Sequence, residues 1–220
     1  MRRRQRIQLL VRGRHLTALP DSVADLTSRG LAVFPISAGL RQAPRGWHTQ
    51  ASSKPGQAWP AVANIGIGCR ASVVVVIDLD RKRLAEDGVA AFGELCTGAV
   101  VPWPQTFTVA TPNQGLHLYF TAPTGRTVAS AIAQPAPGID IRAPGATVGG
   151  YVIGPGSTVN GRRYRTTNPH PIIALPVWLA TLLRPARTSG RAPPLPKTAP
   201  VAFNHGERTA YGAWQKRDRR

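Results

Sequence analysis

Cysteine is almost missing from this chain. Cys69 and Cys96 are the only two among 220 residues, and they form no CxxC pair. That argues against a disulfide framework and against a zinc site; both read as buried thiols in a reducing cytoplasm. Acid is scarce too. Ten Asp and Glu stand against 28 Lys and Arg, a formal net charge of +18. Long apolar runs are also lacking. The run behind the leading arginines, Ile7 to Val11, is broken by Arg12. It is too short for the core of a secretory signal, despite the arginines at its start. No stretch approaches the length of a membrane span, so no membrane partner is expected.

Glycine and proline are plentiful, at 22 and 21 residues, and 42% of the chain is hydrophobic. A compact domain with many turns and irregular ends fits that balance and length. The positive charge sits mainly at those ends. Residues 1–14 carry six Arg and no acid, and residues 184–220 carry nine Lys or Arg against Glu207 and Asp218. The middle, 15–183, keeps a net charge of only +5, from 13 basic and 8 acidic residues. Three segments are expected: a basic flexible leader (1–14), a folded domain (15–183), and a Pro-rich basic linker with a truncated helical tail (184–220). Basic ends of this kind suit contact with a polyanion, nucleic acid above all, though they equally suit plain solubility.

Within the middle, a helix is predicted over Pro20–Arg29, stopped by Gly30. Strands are predicted at Leu31–Ile36 and Asn64–Cys69, with residues 37–60 between them as a loop anchored by Trp47 and Trp59. Val73–Asp80 is the clearest strand, β-branched and apolar almost to its end, as a strand covered on both faces should be. A helix over Leu84–Leu95 follows, then strands at Thr106–Ala110 and Leu116–Phe120 around Asn113-Gln114-Gly115. Extended pieces at Ile139–Arg142 and Gly149–Ile153 and a helix over Pro176–Leu183 complete the series.

The chemistry-bearing residues lie on these strands. Asp78 and Asp80 are two apart, so they project to the same face at the end of a buried strand. Two such charges repel unless a cation neutralises them, and oxygen donors suit magnesium or manganese. On that reading, removing one charge should leave the metal-free protein more stable. A plain strand end with solvated Asp residues is the simpler account of this pair alone. Asp140, flanked by Ile139 and Ile141, supplies a third acid; three converging acids can hold two metal ions, while an Asp140–Arg142 pair is the alternative. His117 alternates with Leu116 and Leu118 just after a Gly-containing turn, where it can meet a phosphate or simply be a half-buried structural His.

Their order is informative. An apolar strand ending Asp78-Leu79-Asp80 precedes Asn113-Gln114-Gly115-Leu116-His117, then Gly138-Ile139-Asp140-Ile141-Arg142, then Gly149-Gly150-Tyr151-Val152-Ile153-Gly154-Pro155-Gly156-Ser157. Together these motifs resemble the bifunctional primase/polymerase (Prim-Pol) domain of the archaeo-eukaryotic primase superfamily, over about residues 15–183. The resemblance implies an α+β fold: an RRM-like antiparallel sheet with helices packed on it, joined to a small α/β unit, with the active cleft between. It implies two Mg2+ or Mn2+ ions on Asp78, Asp80 and Asp140, with His117 on the phosphates of the incoming nucleotide and Gly115 along the triphosphate. Arg142 and Ser157 match recurrent positions near the nucleotide, and Arg41 stands where a Lys is usual. The implied partners are a single-stranded DNA template, nucleoside triphosphates and a separate helicase. The implied setting is cytoplasmic replication of a plasmid, phage or integrated element. Two features depart from the family pattern: Asn113-Gln114-Gly115 replaces Ser-Gly-Gly, and Gly154 and Gly156 replace Ala and Pro. A catalytically silent nucleic-acid-binding module of the same fold is the main alternative. A metal-dependent glycosyltransferase leaves His117 and Asp140 unexplained.

The segment boundaries predict a separable contribution to DNA binding. A chain restricted to residues 15–183 should keep metal-dependent nucleotide incorporation at low salt. It should bind single-stranded DNA more weakly and with a shallower salt slope, each lost phosphate contact removing about 0.7 from that slope. Salt titrations of both chains read this directly; identical slopes would make the ends bystanders.

Overall fold

The computed structural model describes residues 16–56, 58–82 and 86–186. The expected leader and the chain beyond 186 lie outside these. The chain opens with β1 (Leu16–Ala18), α1 (Asp21–Ser28), β2 (Val33–Ile36), the single turn α2 (Trp47–Gln50) and β3 (Ala58–Pro60). Next come β4 (Asn64–Gly68), the short α3 (Cys69–Ser72), β5 (Val74–Leu79), β6 (Arg81–Lys82) and β7 (Glu86–Asp87). The centre holds α4 (Gly88–Gly98), β8 (Thr108–Ala110), β9 (Leu116–Thr121), β10 (Ile139–Arg142) and β11 (Tyr151–Ile153). The described part ends with β12 (Thr158–Val159), β13 (Arg162–Arg163), β14 (Arg165–Asn168), β15 (Ile173–Ala174) and α5 (Val177–Leu182).

The chain is α+β and mostly antiparallel. The larger sheet runs β10–β5–β9–β8–β14, with β15 paired in parallel to the far end of β9. The smaller sheet runs β11–β4–β2, antiparallel throughout. The central strand β5 explains how the two relate. Successive side chains on a strand alternate between faces. Val75, Ile77 and Leu79 pack on one side with Phe92 of α4, Leu118 and Phe120 of β9, and Leu179 of α5. Val74 and Val76 pack on the other side, with Tyr119 of β9, Phe34 of β2, and Ile65 and Ile67 of β4. Helices therefore cover one face of the larger sheet, and the smaller sheet lies over the other. Asp78 continues the Val74–Val76 face, so alternation alone aims it at the space between the sheets. No helix among the described residues is long and apolar enough to cross a membrane.

Where elements differ from the sequence expectation, local chemistry accounts for it. β5 starts one residue late because Val73, at φ 53°, closes α3. The helix expected from Leu84 begins at Gly88. Asp87 caps it, its carboxylate accepting the N–H groups of Val89 and Ala90 at 3.0 Å each. The stretch expected as a loop holds α2 and β3, and β3 pairs with β1. The sheet strands β14 and β15 were not foreseen: Arg165-Thr166-Thr167-Asn168 has no apolar face to announce an edge strand.

In the smaller sheet, the Phe34 ring occupies the space beside its cross-strand partner Gly66. A Cβ on Gly66 would fall 2.2 Å from the Phe34 ring. Gly66→Ala should therefore overpack this layer and destabilise the fold by about 1–3 kcal/mol. Thermal denaturation should show a loss of several degrees, largely recovered by a second change, Phe34→Leu; an unshifted midpoint would contradict the packing described.

Candidate active site

Strand register builds the centre of the site. Asp78 of β5 is the direct cross-strand partner of Asp140 on β10 and of His117 on β9. One row, Asp140–Asp78–His117, thus crosses three adjacent strands on the face turned towards the smaller sheet. Asp78 Oδ1 lies 3.3 Å from His117 Nε2, and its Oδ2 lies 3.7 Å from Arg142 Nε. Asp140 Oδ2 pairs with Arg142 Nη2 at 2.8 Å, while its Oδ1 accepts the N–H of Ala133 at 2.9 Å. Arg142 therefore sits between both acids.

These contacts set the protonation of Asp78. Burial is the largest single influence and works against its charge. The His117 ring and the Arg142 guanidinium together outweigh it, and hold the carboxyl below its ordinary value of 3.8. Near the row, burial pushes the Cys69 thiol up to about 12, against an opposing pull from Arg142.

The backbone of Asp80 is held on both sides. Its N–H donates to the carbonyl of Gly138 and its carbonyl accepts the N–H of Gly88, both at 2.8 Å. The approach needs glycine at both positions. A Cβ on Gly88 would fall 2.0 Å from the Gly138 oxygen, and one on Gly138, at φ 76°, would fall 2.7 Å from the Gly88 nitrogen. The start of α4 and the start of β10 thus clasp Asp80 between them. Gly115 has a comparable part on the other side. A Cβ there would lie 2.3 Å from the Leu79 carbonyl oxygen, between the two acids in sequence.

The acids open on a cleft of about 790 Å3. Its walls carry Asp78, Asp80, His117 and Arg142 from the larger sheet, and Arg41 and Tyr151 from the smaller sheet and its loop. Arg41 is held by its surroundings. The Tyr151 phenol donates to the Arg41 carbonyl at 3.3 Å and accepts the Ala43 N–H at 3.1 Å. Asn64 of β4 donates to the Leu40 carbonyl at 2.9 Å. Burial raises the pKa of the Tyr164 phenol, and the nearby Arg41 guanidinium partly opposes the rise. The Tyr164 ring lies 5.8 Å from that of His117.

Of the residues singled out in the sequence, Asp78, Asp80, His117, Arg142 and Arg41 share this cleft. Three do not line it. Ser157 is 1% exposed, with its hydroxyl engaged by the backbone N–H and carbonyl of Ile65. That leaves it no group for a nucleotide and makes it a tie between β4 and β12. Gly115 packs on Leu79, and it is its neighbours Thr111, Pro112 and Asn113 that reach the cleft. Asp140 occupies the expected position in the row, but both its oxygens turn to Arg142 and Ala133. Tyr164, Asn160 and Arg162 line the cleft without having been singled out. The Asn160-Gly161 pair is a hairpin signal that could have drawn attention to them.

Among the described residues, no group of three or more His, Cys, Asp or Glu side chains could hold a metal ion as arranged. The donor chemistry nonetheless fits a hard divalent cation. Asp78 and Asp80 offer carboxylate oxygens on the cleft face, and Asp140 adjoins Asp78. The positive charge that a cation would bring is carried there by Arg142.

The sequence weighed repulsion between Asp78 and Asp80, but His117 and Arg142 beside Asp78 favour its charge, so Asp78→Asn should destabilise the metal-free protein. The folded carboxyl has a lowered pKa, so its contribution is complete above the ordinary value of 3.8 and fades as pH falls through the lower folded value. Chemical denaturation in chelator should show wild type more stable than Asp78→Asn at neutral pH, with the gap closing below pH 3.8. A mutant of equal or greater stability at neutral pH would mean that repulsion dominates.

No curated protein matches the chain in a sequence search. The family model for the bifunctional DNA primase/polymerase N-terminal domain matches residues 23–178, from within α1 into α5. That stretch contains both sheets and every cleft residue named above, and the chain accordingly belongs to the Prim-Pol family.

Proposed function

We propose that this chain is a DNA-directed nucleotidyltransferase that extends a strand on a single-stranded DNA template from nucleoside triphosphates. The observation that carries the reading is the row Asp140–Asp78–His117 facing Arg41 across one cleft, in a chain of this family. The larger sheet, with helices on one face and the cleft on the other, is read as the RRM-like unit.

The chain's own groups divide the work. Arg41, on a loop held over the cleft by Tyr151 and Asn64, provides a guanidinium for triphosphate oxygens. His117 lines the same cleft, and its ring takes the phosphates beside Asp78. Gly149 and Gly150 line the wall next to Arg142, where the backbone is open to a close approach. Asp78 and Asp80, with Asp140 as the third acid, would hold two divalent ions, which would supply positive charge at the phosphoryl group and lower the pKa of a primer hydroxyl. Arg142 must release Asp140 for that set to form. It is then free to turn its guanidinium towards the nucleotide.

The engagement of Asp140 by Arg142 also favours a second reading, a binding module that keeps the fold without catalysis. Incubation with single-stranded DNA, labelled ribo- or deoxyribonucleotides, and manganese or magnesium, with and without a primer, separates the two. Metal-dependent incorporation is expected, and Asp78→Asn/Asp80→Asn should lower it by at least about 100-fold. DNA binding without any incorporation by wild type would leave the binding module standing.

A further inference from the structure

The β12–β13 hairpin divides two grooves. Directly opposed residues on paired strands share a face. Val159 and Arg162 are partners and both line the catalytic cleft. Thr158 and Arg163 are partners and both line a second groove of about 690 Å3. Asn160, at the hairpin tip with φ 51°, lines both. The wall is firmly seated. Asn64 brackets Thr158, donating to its carbonyl at 2.9 Å and accepting its N–H at 2.8 Å. Val159 and Tyr164 are buried on either side of the tip.

Several arginines elsewhere are tied down. Arg29, Arg70, Arg81, Arg126 and Arg142 each bind a carboxylate or a carbonyl. Arg162, Arg163 and Arg165 are exposed and bind none among the described residues. Three guanidinium groups without a partner among the described residues thus fall within four residues, two on the hairpin ridge between the grooves and Arg165 at the start of the adjoining β14, and such a run suits a chain of phosphates.

Building on the nucleotidyltransferase reading, we infer that this hairpin is the track of the single-stranded template. The strand leaves the cleft past Arg162 and Asn160, crosses the ridge, and enters the second groove along Arg163, with Arg165 at its flank. The charges orient it. Asp21, the acid lining the second groove, disfavours phosphate on its side, and Val62, 85% exposed, offers an apolar surface there. The backbone therefore follows the arginines, and the bases turn towards Val62.

The test uses the full chain and leaves Arg162 intact, because it also lines the nucleotide cleft. Single-stranded DNA binding is titrated against salt for wild type, for Arg163→Gln/Arg165→Gln, and for Lys54→Gln/Arg184→Gln, which removes the same charge elsewhere. Losing two phosphate contacts should make the slope of log affinity against log salt shallower by about 1.4 in the first variant only. Nucleotide affinity, read from tryptophan fluorescence with manganese present, should stay unchanged. Equal slopes for wild type and the hairpin variant, or an equal loss in both variants, would overturn the inference. Weakened nucleotide binding with unchanged DNA binding would assign the hairpin to the triphosphate and overturn it too. Binding is read without catalysis, so a wild type that fails to incorporate nucleotides removes the catalytic reading and leaves the track to be judged on its slope.

Discussion

Placing carboxylates on a sheet that is otherwise apolar requires positive charge beside them, and the site is arranged around that need. β5 is buried on both faces up to Leu79, so Asp78 loses most of its hydration. A carboxylate in that position becomes neutral unless partners hold its charge. His117 and Arg142 are those partners, one from each neighbouring strand. The strand order β10–β5–β9 is therefore the condition for a charged Asp78 as well as a topological fact. It also ties function to pairing, since a slip of one residue in either ladder would turn a partner to the opposite face.

The same strands were the most legible in the sequence, for a related reason. β5, β9 and β10 alternate between helix-covered and cleft-facing positions, so their polar residues stand out against Val, Ile and Leu. Alternation alone assigns a face to each of Asp78, His117 and Asp140. Side-chain direction within that face could not. Arg142 shares a face with Asp140, and only the structure shows it reaching Asp78 as well. Ser157 followed from motif resemblance rather than from its surroundings, and its hydroxyl belongs to the backbone of Ile65. β14 was illegible because an exposed edge strand made of Arg, Thr and Asn carries no periodic apolar signal. Family membership and the α+β class were accessible from motif order; the pairing of the two sheets across a cleft needed long-range contacts that no local pattern encodes.

The two sheets divide the labour. The larger one, stiffened by α4 and α5, carries acids and His117 on strands. The smaller one carries Arg41 on a loop held by Tyr151 and Asn64, whose side chains bond backbone atoms. Because those ties are to main-chain groups, the loop's path depends little on which residue stands at position 41. The cation there can change identity without the wall losing its shape.

Cys69 lies next to this charged row, yet adds nothing to its chemistry. With its pKa near 12, the thiol holds almost no thiolate at neutral pH. Fully buried, it also offers alkylating reagents and peroxides no exposed sulfur. The row therefore meets solvent as an oxygen-and-imidazole surface, although a buried sulfur atom lies close to it.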